Sequence, residues 1–149
     1  MIRYIHGDIF TSPTQTIVNP VNTVGVMGKG LAAEFKRRYP DMYAGYRTAC
    51  EKHLLVPGKL MLFRECDYQV LLFPTKEDWL DPSRIEYIEA GLAKFVSSYE
   101  SHGITSIGFP RLGCGCGGLN WQSVKSVMER YLHDLPIDVY ILLGPQEGT

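Results

Sequence analysis

Four apolar runs in this chain end on proline: IVNP at Pro20, LLFP at Pro74, IGFP at Pro110 and LLGP at Pro145. Proline has no N–H to give to a ladder, so each run reads as a strand that stops at its proline. If these strands lie parallel, all four exits share one edge of a sheet. Open α/β sheets bind their ligands there, at the carboxyl ends of strands. The segments after the prolines are VNTVGVMGKG, TKEDW, RLGCGCGG and QEGT. Glycine-rich loops, a lysine and an arginine therefore converge on one crevice. Strand protection would explain each proline singly, but not why glycines follow the same prolines.

The rest of the chain supports such a sheet. Strands are predicted over residues 3–6, 16–19, 59–63, 69–73, 106–109 and 138–143, and helices over 31–39, 42–53, 83–102 and 122–132. The third helix has the clearest period, with Ile85, Ile88, Leu92, Phe95, Val96 and Tyr99 at three- and four-residue steps. Asp81 reads as its N-cap, Pro82 as its first turn and Gly103 as its stop. Strands separated by helices imply an α/β layer architecture with a largely parallel or mixed sheet.

A chain of 149 residues with 45% apolar and 21% charged residues is expected to form one globular domain over residues 1–149. The net charge of −1 gives no general basic field for nucleic acid, although it leaves recognition of one modified nucleotide open. No apolar run reaches the ~18 residues of a membrane span, and the N-terminus lacks the apolar core of a signal peptide. Cys114 and Cys116 stand as C-G-C, without the two-residue spacing of common zinc knuckles. Reduced cysteines, no metal, no organic cofactor, no membrane, a cytoplasmic location and a monomeric state are the expectations.

Two glycine loops that each lead into a helix read as anion sites. Backbone N–H groups and a helix N-terminus favour phosphate, and two such loops suit a pyrophosphate better than a single phosphate. Neither loop is a familiar nucleotide motif. GVMGKG continues as Leu31-Ala32 where a P-loop needs Lys and Ser/Thr. Gly113, Gly115 and Gly118 match G-x-G-x-x-G, but the chain after Gly118 is too short for the second half of a dinucleotide fold.

GDIF after a first strand, NPVNTVGVMGKGLA, FPTK and PRLGCGCGGLNW together resemble a macrodomain, the ADP-ribose-binding fold. The resemblance runs from Gly7 to about Pro145 and is nearest to the DarG-type antitoxin macrodomains, which remove ADP-ribose from DNA, with the terminal ADP-ribose glycohydrolases as near relatives. It implies a three-layer α/β/α fold with a mixed central sheet. It also implies that Asp8 accepts a hydrogen bond from the adenine amino group, with Ile9 lining the base, and that Asn22 holds the distal ribose hydroxyls. Asn19 is expected to satisfy backbone groups instead. Gly25, Val26, Met27, Gly28 and Gly30 would wrap the distal ribose and phosphates. Leu112, Gly113, Cys114, Gly115, Cys116 and Gly117 match the second phosphate loop. Met27 reads equally as a soft wall or as packing, and the two cysteines as small loop side chains rather than nucleophiles.

Lys76, in FPTK, matches a catalytic lysine of the resembling glycohydrolases. Such an amine attacks the anomeric carbon of the distal ribose and displaces its substituent, or else stays charged and stabilises the leaving group. The terminal glycohydrolases add a second-loop aspartate, where this chain has Gly117-Gly118. The expected function is hydrolysis of ADP-ribose from a DNA base, with Lys76 and Asn22 catalytic. A DNA ADP-ribosyltransferase toxin is the implied partner. Binding without turnover, and hydrolysis of protein-ester-linked ADP-ribose or O-acetyl-ADP-ribose, are the alternatives. Trp79 reads equally as a base-stacking face or a core cap, and Lys36–Arg38 first as a solvated helix face and second as a contact to a DNA backbone.

Overall fold

The computed structural model describes residues 1–115 and 117–144. Cys116, Pro145 and the QEGT segment lie outside the described residues. Six strands form one sheet in the order β1-β6-β5-β2-β4-β3: β1 Ile2–Ile5, β2 Thr16–Val21, β3 Met61–Arg64, β4 Gln69–Pro74, β5 Ser106–Phe109 and β6 Asp138–Leu142. All neighbours pair parallel except β3 against β4, so the sheet is mixed. Helices α1 Gly30–Arg38 and α2 Pro40–Glu51 cover one face, and α3 Ile85–Ser98 and α4 Trp121–Leu132 the other.

Alternation along the central strands builds both cores. Ile17 and Val21 of β2 join Val70 and Leu72 of β4 beneath Phe35, Met42 and Tyr46, whereas Val18, Leu71 and Phe73 face Ile88, Leu92 and Phe95. A period of two on strands meets a period near four on helices, and three layers result.

Two expectations about strand ends are corrected. Neither β2 nor β4 stops before its proline: β2 continues through Pro20 to Val21, and β4 includes Pro74. The carbonyl of Val21 accepts from Thr75 N on the β4 side, at 2.9 Å. Adjacent residues turn their backbone groups to opposite sides, so the missing N–H of Pro20 faces β5. There the ladder has already ended, since β5 pairs only Thr16 with Ile107 and Ile17 with Gly108. A central strand therefore tolerates the proline because its neighbour has diverged.

The start of α3 is also corrected. Asp81 caps nothing; the helix begins at Ile85 behind an extended Arg84. The N–H groups of Ser83 and Arg84 go to Gly117 O and Thr75 O, at 2.9 and 3.0 Å. These tertiary bonds hold Arg84 extended and lengthen the loop that carries Lys76. At the other end α3 stops at Ser98, and residues 99–103 turn back through Gly103 at φ 69°.

Candidate active site

Parallel pairing places the ends of β2, β4 and β5 on one edge, so residues 22–29, 75–84, 110–115 and 117–120 lie side by side there. A bridge between Gly7 and Gly144 brings the turn after β1 to the same edge, with Gly7 N 2.8 Å from Gly144 O. Asp8 is exposed, and its Oδ1 accepts from Phe10 N at 2.8 Å, capping the short turn Ile9–Thr11. The side chain of Ile9 is buried in the core.

The first loop is fastened by side chains. Asn22 is buried, and its Nδ2 donates to Val26 O at 2.7 Å. Its Oδ1 accepts from the N–H groups of Val24 and Val26, at 3.1 and 3.3 Å. The Tyr46 hydroxyl lies 2.7 Å from the same Oδ1 and 2.9 Å from Asn22 O, and its one proton serves one acceptor at a time. The amide that the resemblance assigns to the distal ribose thus braces the loop through its Oδ1 and one of its two Nδ2 hydrogens. Burial drives the Tyr46 pKa well above the ordinary 10.0, so the hydroxyl stays a donor.

Met27 packs: its side chain is 3% exposed and sits in the core with Phe35 and Met42. Asn19 does not satisfy backbone groups. Its Nδ2 faces the sulfurs of Met27 and Met42 at 3.8 and 3.7 Å, and its Oδ1 has no partner among the described residues. An orphaned amide oxygen costs about 1–3 kcal/mol. Gly25 turns the loop at φ 89°, while Val26 and Gly28 remain exposed. Helix α1 then begins at Gly30 with no side-chain cap at Lys29, which leaves its first amides for an anion.

The second loop is fastened by what it lacks. A Cβ on Gly117 would collide with Ser83 Oγ and Gly113 O. A Cβ on Gly113 would lie 2.8 Å from Leu119 Cδ1, at a φ of 71° that already disfavours side chains. Leu112 is wholly buried in the core, so only its backbone can face a ligand, whereas Gly115 is exposed. Burial raises the Cys114 thiol pKa, which keeps it protonated and a poor nucleophile. Asn120 caps α4 through Ser123 N at 3.2 Å.

Between these loops runs the lysine segment, tied to both. Thr23 donates to Glu77 O from its N–H, at 2.8 Å, and from its hydroxyl, at 3.2 Å. On the other side lies the Ser83 to Gly117 bond, backed by a Ser83–Thr75 hydroxyl contact at 3.3 Å. Lys76 is half-buried, with Nζ 3.5 Å from Trp79 O. Glu77 accepts from the Tyr87 hydroxyl and Asp78 from Leu80 N, so both carboxylates are engaged locally. Trp79 is no core cap: it is 48% exposed, beside Leu80 at 73%.

Tyr46, Thr23 and Ser83 were missed by the sequence reading. Tyr46 left a signal, since it shares the buried helical stripe of Met42, Ala49 and Cys50, and a buried tyrosine needs a hydrogen-bond partner.

Two glycine loops at one edge of a mixed sheet, with a lysine between them, form a macrodomain arrangement, and sequence comparison agrees. The Macro domain family matches residues 18–128, and this chain belongs to that family. It is 39% identical to the DNA ADP-ribosyl glycohydrolase of Mycobacterium tuberculosis, over 99% of this chain and 43% of that protein. It is 42% identical to a Thermosipho africanus DNA ADP-ribosyl transferase-DNA ADP-ribosyl glycohydrolase fusion protein, over 95% of this chain and 42% of that one. The chain thus spans about two fifths of these curated relatives. Among solved structures, the macrodomain of Mycobacterium tuberculosis DarG superposes with a TM-score of 0.91 at 39% identity, covering 99% of each chain. Thermosipho africanus DarTG in complex with ADP-ribose gives 0.91 at 42% identity, over 99% of this chain and 42% of that one.

Proposed function

We propose that this macrodomain hydrolyses ADP-ribose from a modified DNA base, with Lys76 as nucleophile. The observation that carries the reading is the placement of Lys76 on a segment hydrogen-bonded at one end to the first glycine loop and at the other to the second. A pyrophosphate held by those loops and by the open start of α1 would bring its distal ribose to the lysine. The exposed faces of Trp79 and Leu80 beside it suit an apolar, stackable nucleobase better than a carboxylate leaving group. The DNA ADP-ribosyl glycohydrolases that this chain resembles support the same substrate class.

The chemistry balances without a cofactor. The free amine of Lys76 forms a bond to C1″ of the distal ribose as the bond to the base breaks. The bonding pair leaves with the base, which takes up the proton that the amine loses. Water then attacks C1″, places a hydroxyl there and returns its other proton to the lysine nitrogen. Position 117 offers no space for a carboxylate to guide that water, because Ser83 fills it. Asn22 acts as a positioning residue that holds the first loop. A DNA ADP-ribosyltransferase is the enzyme whose product this activity reverses, as the name of the Thermosipho africanus fusion protein suggests. A cytoplasmic location fits that role, and no described helix is long and apolar enough to cross a membrane.

The absent carboxylate also favours a second reading, an ADP-ribose binder without turnover. Release of ADP-ribose from an ADP-ribosylated oligonucleotide separates the two. The parent should release it, and Lys76→Ala should slow release at least about a hundredfold while still binding free ADP-ribose. Tight binding by the parent with no release would leave the binder.

A further inference from the structure

The basic run Lys36–Arg38 divides on folding. Arg37 and Arg38 close on Glu34 at 2.7 and 2.9 Å, and Arg38 also lies 4.2 Å from the Phe10 ring centroid. Lys36 turns the other way, with Nζ 4.6 Å from the ring centroid of Tyr43. It borders an open groove of about 430 Å³ between α1–α2 and the outer wall of the first loop, residues 24–28. Arg47 and Glu51 complete the lining; their 3.8 Å contact is loose, and both side chains are more than half exposed. Such a pair is screened by solvent and leaves the guanidinium available to another anion.

We propose that this groove carries the DNA strand to which the ADP-ribose is attached, an inference that rests on the activity proposed above. The loop that forms its wall is the one whose inner side would hold the distal ribose, so a strand leaving that sugar meets the groove next. Val24 and Val26, 50% and 36% exposed, supply apolar surface along the way, and Tyr43 supplies a ring. Cations interleaved with an aromatic ring match a single-stranded polyanion, in which every base has a face to stack and every link a phosphate. Charge also sets the direction. The lysine segment carries Glu77, Asp78 and Asp81 against Lys76 and Arg84, an acidic excess, whereas the groove lining carries Lys36 and Arg47 against Glu51, a basic one. Phosphates are therefore drawn across the first loop, and the lysine segment is left to the base. An overall charge of −1 conceals this local division.

The test compares two conjugates, an ADP-ribosylated single-stranded oligonucleotide and an ADP-ribosylated nucleoside, using the full chain and Lys36→Gln/Arg47→Gln. The double variant should lose about tenfold in kcat/KM on the oligonucleotide, through KM, with the nucleoside and free ADP-ribose unaffected. Its affinity for unmodified single-stranded DNA should fall less steeply with salt, the log–log slope flattening by about 1.4 for two lost contacts. Glu51→Gln should shift the oligonucleotide KM the opposite way. Equal losses on both conjugates or an unchanged salt slope would overturn the proposal. If the parent cleaves neither conjugate, the activity reading fails, and the salt slope alone decides the groove.

Discussion

The two glycine loops flank the same segment yet are built on opposite principles. The first is held by atoms that are present: one asparagine amide, one tyrosine hydroxyl and one buried methionine. The second is held by atoms that are missing, since Gly113 and Gly117 let Leu119 and Ser83 close over them. Removing a group should therefore loosen the first loop, and adding one should break the second. A phosphate needs amides fixed in place, and both constructions supply them without a charged side chain.

The largest effect is expected where an atom is added. Gly117→Ala drives a methyl group into Ser83 and a backbone carbonyl, an overpacking worth about 3 kcal/mol. Calorimetric titration should show ADP-ribose affinity collapsing along with Tm, and an alanine accommodated at no cost would break the comparison. Asn22→Ala strips the acceptor from two amides and from Tyr46, and should lower stability by about 2 kcal/mol in urea unfolding. Tyr46→Phe removes one hydroxyl and should cost about 1 kcal/mol. The double variant should cost less than the sum, because both substitutions cut one network; strict additivity would mean that the two residues fasten the loop independently.

The smallest effect is the share of the alkaline pH dependence that Tyr46 contributes. Burial raises the Tyr46 pKa above 10.0, so folding favours the protonated phenol. Its contribution is complete below pH 10.0 and is lost as pH rises beyond it. Alkaline unfolding of the parent should therefore be steeper than that of Tyr46→Phe, and superimposable profiles would count against a buried donor.

What could be read from the sequence was whatever a short segment decides for itself. Strand β5 falls at residues 106–109 as expected, and the period of α3 places its core face on Ile88, Leu92 and Phe95. The proline-terminated runs predict one shared sheet edge, and the ends of β2, β4 and β5 lie on one edge, although two strands continue into their prolines. The extended stretch before α3 was illegible because Ser83 and Arg84 answer to Gly117 and Thr75, which no local pattern reveals. The resemblance assigns Asn22 to a ribose, but no local pattern reveals that its Oδ1 also accepts from residues 24, 26 and 46 while one Nδ2 hydrogen goes to Val26 O. Asn19 was expected to face backbone and faces two thioethers, an arrangement that depends on where α2 lands.

The brief ladder between β2 and β5 has a mechanical consequence. Among the described residues the sheet is two half-sheets, β1-β6-β5 and β2-β4-β3, whose strands pair across the join only at one stitch, Thr16–Ile17 against Ile107–Gly108. Beyond that stitch Phe109 leans edge-on against Phe73 and Phe95, with centroids 6.5 and 5.7 Å apart, so side chains rather than peptide groups hold the seam. A pyrophosphate clasped by the loops after β2 and β5 would span the open end of that seam. The ligand would then act as a suture whose binding energy adds to the cohesion of the sheet, and amides along the seam should exchange more slowly with solvent deuterium once ADP-ribose is bound.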